Sequence, residues 1–115
     1  RNVAEAAGAG QVSEVLRFLR DGEDPSRFWP VRPEIISSSV TRPTGLEAAL
    51  WGGRQLIELL DRRGLIRNAD TRRHLACLAK DIGNSDLVAY LSPDGAPPCE
   101  YGAAFASVKA RSLPQ

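Results

Sequence analysis

One pair of residues in this chain has a spacing that invites covalent chemistry. His74 and Cys77 stand three apart in an apolar run, and on a helix that spacing sets an imidazole and a thiol on one face. A thiol beside a histidine is the minimum for a cysteine nucleophile. No neighbouring residue supplies an orienting third group or an oxyanion donor, so no catalytic residue is expected. Only a solvent-reachable cleft enclosing both groups would reopen the question. The two cysteines, Cys77 and Cys99, allow one disulfide and no metal set. With a single histidine in the chain, no zinc site is expected. Cys77 in its apolar setting reads as a small buried hydrophobe, which fits reducing conditions. Gly8, Gly10, Gly52 and Gly53 lack the lysine and the strand–loop–helix setting of a phosphate loop. No cofactor and no small-molecule substrate is expected.

Binding chemistry is better represented. Arg54, Arg62, Arg63, Arg67, Arg72 and Arg73 fall close together with His74. Arg67, Arg72 and Arg73 flank a tight connection and can meet an acidic segment of a protein partner through bidentate contacts. The competing reading is a solvated surface balanced by Glu58, Asp61 and Asp70. A net charge of +1 provides no field for polynucleotides, so nucleic acid is disfavoured. No apolar run approaches the ~20 residues of a membrane span, and no signal-peptide pattern opens the chain. The expected location is intracellular, with cytoplasm and nucleus not distinguished. Because the chain opens on Arg1, further repeats or domains ahead of it are allowed for.

The elements that must position these groups are helical. The 115 residues are 43% hydrophobic and poor in aromatics, which suits one domain of closely approaching helices. A single pattern occurs three times: a short apolar run, a glycine, then a second run that stops at glycine or proline. Val12, Val15, Leu16 and Leu19 follow helical spacing and stop at Gly22. Leu56, Ile57 and Leu60 do so before Gly64, where Glu58 and Arg62 are spaced for a surface ion pair. Leu75, Leu78, Ala79 and Ile82 form a third stripe, with Asp70 or Thr71 as its cap, and Leu87, Val88 and Leu91 a fourth, with Asn84 or Ser85. Gly10, Gly52 and Gly83 mark the turns, 42 and 31 residues apart. Residues 25–43, with Pro25, Pro30, Pro33 and Pro43, read as an inserted loop. Tyr101, Phe105 and Val108 predict a short helix over the end of the last pair, with fraying after Lys109.

These segments resemble ankyrin repeats. Ala6-Ala7 and Ala48-Ala49 precede Gly10 and Gly52 by the family spacing, and Gly22-Glu23-Asp24 matches the Gly-x-Asp turn. Val15, Phe18 and Leu19, and their counterparts at Leu56, Ile57 and Leu60 and at Leu87, Val88 and Leu91, match the second helix. Thr71 and His74 echo the ends of the Thr-Pro-Leu-His motif, which no segment has complete. The third segment is about one helical turn longer before Gly83, and the connection from Gly64 to Thr71 is too short for the family's β-hairpin finger. The resemblance covers about residues 2–92. It implies an all-α, ankyrin-like helical repeat solenoid with repeats at about 2–25, 43–64 and 70–92, the inserted loop 25–43, and a linker, capping helix and tail over 93–115. It implies a protein–protein interaction module for recruitment or scaffolding rather than an enzyme. It places Leu50 and Trp51 in the binding groove, with Trp51 packed under the 25–43 loop as the competing reading, and lets His74 bond Thr71 or a nearby carbonyl. Phe28 and Trp29 either grip a partner or pin the loop, with pinning favoured because a long free loop costs chain entropy. The alternative function is an inhibitory or regulatory subunit that blocks an enzyme site with the 25–43 loop.

Overall fold

Capping residues and apolar stripes set the helices, and seven form among the described residues. The computed structural model describes residues 1–95 and 98–112. Three successive pairs are α1 (Val3–Gly8) with α2 (Val12–Arg20), α3 (Gly45–Gly52) with α4 (Arg54–Arg62), and α5 (Ala69–Asp81) with α6 (Ser85–Leu91). α7 (Ala103–Ser112) follows. The chain is all-helical; among the described residues the only β pairing is two isolated bridges. No described helix is long and apolar enough to cross a membrane.

Polar side chains cap the starts of α1, α3, α5 and α6, while α2 and α4 begin without a side-chain cap. Asn2 Oδ1 accepts the Ala4 and Glu5 N–H groups, and Asn84 Oδ1 accepts that of Leu87. α5 is capped by Asn68, which accepts from Asp70 and Thr71. Asp70 and Thr71, read above as the cap, thus lie inside the first turn. Gly22 and Gly64, at φ 90° and 78°, end α2 and α4, a backbone that only glycine adopts freely. In the middle pair the left-handed turn residue is Gly53 (φ 105°), one later than the Gly52 indicated by spacing. Gly52 serves another purpose: a Cβ there would collide with the Ala7 carbonyl oxygen. α1 and α3 therefore meet backbone against backbone.

Each pair packs internally, and the first helices pack in series, α1 on α3 and α3 on α5. Leu56, Ile57 and Leu60 are buried as their spacing predicts, each burial contributing roughly 2 kcal/mol. In α2 the buried residues are Val15 and Phe18, whereas Val12, Leu16 and Leu19 stay partly exposed. That helix packs chiefly on the short α1, which covers only a narrow strip. Glu58 pairs with Arg54 at 3.0 Å rather than with Arg62, and Arg54 also reaches Asp86 at 2.8 Å.

The 25–43 segment is more ordered than an inserted loop. Trp29 N–H donates to the Pro43 carbonyl and Val31 N–H to that of Thr41, both at 2.9 Å, and Phe28 bridges Thr44 in antiparallel sense. The result is a two-legged finger laid on α1. Val31 and Val40 are buried, Asn2 Nδ2 donates to the Pro30 carbonyl, and Glu5 accepts the backbone and guanidinium N–H groups of Arg32. Truncating it would strip apolar cover from the first pair, so deletion cannot separate the blocking-loop reading from groove binding.

α7 reaches further than expected. It packs along α5, the first helix of the third pair, and also reaches back to α3 through Arg111. It also runs past Lys109 to Ser112, because Arg111 is anchored. Asp81 starts it by accepting the Gly102 and Phe105 N–H groups at 2.7 and 3.0 Å. Val108 is buried and Phe105 packs on the core, but Tyr101 precedes the helix and stands exposed. Residues 96–97 and 113–115 of the expected linker and tail lie outside the described residues.

Candidate functional site

The first turns of α3 and α5 build the site, starting from the cap of α3. Thr44 and Glu47 form a capping box: Thr44 Oγ1 accepts the Glu47 N–H at 3.0 Å, and Glu47 Oε1 accepts the Thr44 N–H at 2.8 Å. This reciprocal pairing is what Thr-x-x-Glu before an apolar run encodes. Here the box has a second use. Glu47 is 3% exposed, and two distant side chains converge on it. Arg111 Nη2 donates to both carboxylate oxygens at 2.6 and 2.7 Å, and His74 Nε2 lies 2.6 Å from Oε2. Burial alone would raise the Glu47 carboxyl, but hydrogen bonds from His74, the Thr44 backbone and Arg111 outweigh it and hold it below the ordinary 4.5. An ionised carboxylate only accepts, so His74 Nε2 carries the proton. The expected partner of His74, Thr71 or a nearby carbonyl, is thus replaced by Glu47.

Thr44, Glu47 and His74 of this cluster floor a cleft of about 300 Å³ between the starts of α3 and α5, with Ser26, Thr71 and Asp70 in its walls. Beside it stands Phe28, 52% exposed, with the Arg111 guanidinium 4.4 Å from its ring centroid. Phe28 is bridged to Thr44, so finger, first helices and α7 meet at one place. Sequence reasoning singled out Phe28 here but missed Glu47 and Arg111. The Thr44–Glu47 spacing was a legible signal for the first; nothing local marks the second.

The other expected contacts divide. Leu50 is 2% exposed and is withdrawn as a groove residue: it points into the core. Trp51 is half-buried and packs against that core, leaving only part of its ring for a partner. Trp29 pins the finger, with its indole N–H donating to the Asp24 carbonyl at 2.8 Å. Arg67 is exposed, its guanidinium folded back towards Gly64. Arg73 is exposed and pairs with Asp70 at 2.9 Å. Arg72 is withdrawn as a partner contact, because it is a latch between helices. It pairs with Asp61 at 3.0 Å and donates to the carbonyls of Leu91 and Tyr90 at the end of α6. The Tyr90 hydroxyl completes the group by donating to Asp61 at 2.8 Å. Burial would raise the Asp61 carboxyl; Tyr90 and Arg72 outweigh it and lower it. Arg72→Met is expected to lower stability by about 1 kcal/mol, and Arg73→Met to stay within about 0.5 kcal/mol. Paired thermal melts read the difference, and equal effects would remove the latch assignment.

His74 and Cys77 do line a common cleft, of about 400 Å³, open between α5 and the segment before α7. That is the circumstance set above for reconsidering catalysis. The thiol, however, is hydrogen-bonded to Cys99, and burial followed by that bond pushes Cys77 up to about 11. A catalytic cysteine that must rest as a thiolate at neutral pH needs the opposite shift. Among the described residues, no group of three or more His, Cys, Asp or Glu side chains could hold a metal ion.

No protein-family model, no curated protein and no solved structure matches the chain. The functional reading rests on the residues themselves.

Proposed function

We propose that this chain is a protein-interaction module of the ankyrin-like repeat type, recruiting a partner to the side formed by its first helices and the finger. The observation that carries the reading is the convergence of the α3 start, the α5 start and the finger on one open cleft, with Phe28 bare at its edge. Aromatic side chains beside a pocket are the usual anchors of protein interfaces. The repeat arrangement, over about 2–25, 43–64 and 70–92, is supported by the serial packing of α1, α3 and α5 and by positive-φ glycines inside each pair at Gly10, Gly53 and Gly83. One helix pair cannot bury its own apolar faces, and stacking leaves an open side whose residues can vary freely.

The partner chemistry is an acidic segment with an apolar anchor. Arg27 and Arg73 are exposed near the cleft, and their pairs with Asp24 and Asp70 lie in solvent, where exchange for another carboxylate costs little. Trp51 and Arg67 extend the same reading. The module is intracellular and non-catalytic in this account. The blocking-loop alternative has no observation in its favour, since the finger is bound down along its length.

The test is capture from native lysate with wild type and Phe28→Ala in parallel, read by quantitative mass spectrometry. Phe28→Ala loses a half-exposed cation–π contact, about 1 kcal/mol or less, so the fold persists. The expected result is a partner enriched by wild type and depleted about tenfold or more by the variant. Enrichment unchanged by Phe28→Ala and by Arg73→Glu would exclude this face.

A further inference from the structure

We propose that Cys77 and Cys99 are a dithiol–disulfide modification site, whose reversible oxidation latches the segment leading into α7 onto α5. The two cysteines come from elements 22 residues apart in sequence, yet both line one cleft, and their thiols are hydrogen-bonded to each other. Their exposures differ in a useful way. Cys77 is 8% exposed, whereas Cys99 is partly open to solvent through the cleft. An external oxidant therefore meets Cys99 first, and Cys77 waits behind it as the resolving thiol.

The oxidant is a low-molecular-weight disulfide such as oxidised glutathione. The Cys99 thiolate attacks one sulfur of that disulfide, a protein–glutathione S–S bond forms, and one glutathione thiolate leaves. Cys77 then gives up its proton to solvent and attacks the Cys99 sulfur, which breaks the mixed disulfide and expels the second glutathione thiolate. Two protein thiols are oxidised to one disulfide, one small disulfide is reduced to two thiols, and the two released protons balance the two leaving thiolates. Burial holds the proton on Cys77, and so do the Cys99 bond and charge. Capping Cys99 removes the latter two; burial, the largest cause, stays, so attack by Cys77 is the slower step and is favoured by the alkaline pH of the test.

The location gives the bond a consequence. α7 is otherwise held by Asp81 at its start, Val108 along its length and Arg111 at its end. A disulfide at Cys99 closes the chain between α5 and α7 and adds a covalent tie beside the first of these attachments while oxidised. A loop of this size should raise the melting temperature by about 10 °C. This proposal does not depend on what the cleft binds.

The experiment takes the full chain, reduced, through a series of reduced-to-oxidised glutathione ratios at pH 8, with intact mass and thermal melting on each sample. The expected result is a monomer lighter by two hydrogens, melting about 10 °C higher, and returned to the reduced mass and melting point by dithiothreitol without denaturant. Cys99→Ser and, separately, Cys77→Ala should abolish both changes. The Cys99 variant alters a partly exposed residue and keeps the fold if α7 is held as described. A persistent glutathione adduct, a disulfide-linked dimer, or a closed bond with no rise in melting temperature would each overturn the proposal.

Discussion

Glu47→Ala is expected to lower stability by about 3 kcal/mol, the cost of breaking a buried ion pair by deleting one member. Three donors lose their acceptor together: the Arg111 guanidinium, His74 Nε2 and the Thr44 N–H. Among the described residues Arg111 Nε has no hydrogen-bond partner, so the side chain has little to fall back on. For a domain of this size the loss corresponds to roughly 10 °C in melting temperature. Because α7 depends on Arg111, protection of its amides from hydrogen exchange should fall before that of α4. The acid limb gives an independent reading. The Glu47 carboxyl is held below its ordinary 4.5 in the folded chain, so the folded state binds fewer protons than the unfolded one. Its contribution is complete above the unfolded value and is lost as pH falls through the depressed folded value. Wild type should therefore lose stability below about pH 4.5 more steeply than Glu47→Gln, measured by urea unfolding from pH 7 to pH 3. Equal acid slopes would mean that the Arg111–His74–Glu47 cluster contributes nothing in solution.

Gly52→Ala is the second large effect, and its sign is the informative part. In an unhindered helix, alanine for glycine stabilises by about 1 kcal/mol. At Gly52 the new Cβ would run into the Ala7 carbonyl oxygen, a backbone atom that cannot rotate away. The expected net change is a loss of about 3 kcal/mol, as overpacking forces α1 and α3 apart. Gly22→Ala is the control: it has open space around its Cβ position but a φ of 90°, so it should cost about 1 kcal/mol from backbone strain alone. Chemical denaturation of the two variants beside wild type measures both. If Gly52→Ala stabilises, the close approach of α1 and α3 is wrong, and the serial packing of first helices goes with it.

Local interactions carried most of what was legible beforehand. Helix stripes at Leu56, Ile57 and Leu60 and the Gly22 and Gly64 stops each depend on residues within a turn or two of one another, so spacing alone specified them. The Trp29 indole bonds a carbonyl only five residues back, so its pinning contact is local too. Where neighbours were not sequential, spacing was silent or misleading. Leu50 and Trp51 occupy adjacent helical positions, and only the packing of α1 and α5 around α3 decides that one is core and the other half-buried. Arg72 and Arg73 are equivalent in sequence; the end of α6 turns the first into a latch and leaves the second in solvent. Glu47 was readable as half of a capping box, but its charge partners lie 27 and 64 residues away. The sequence by itself determined the local helix preferences and the places where they stop. The tertiary structure alone decided which charges are buried together and which aromatics stay exposed, because desolvation depends on what the chain brings back from far along its length.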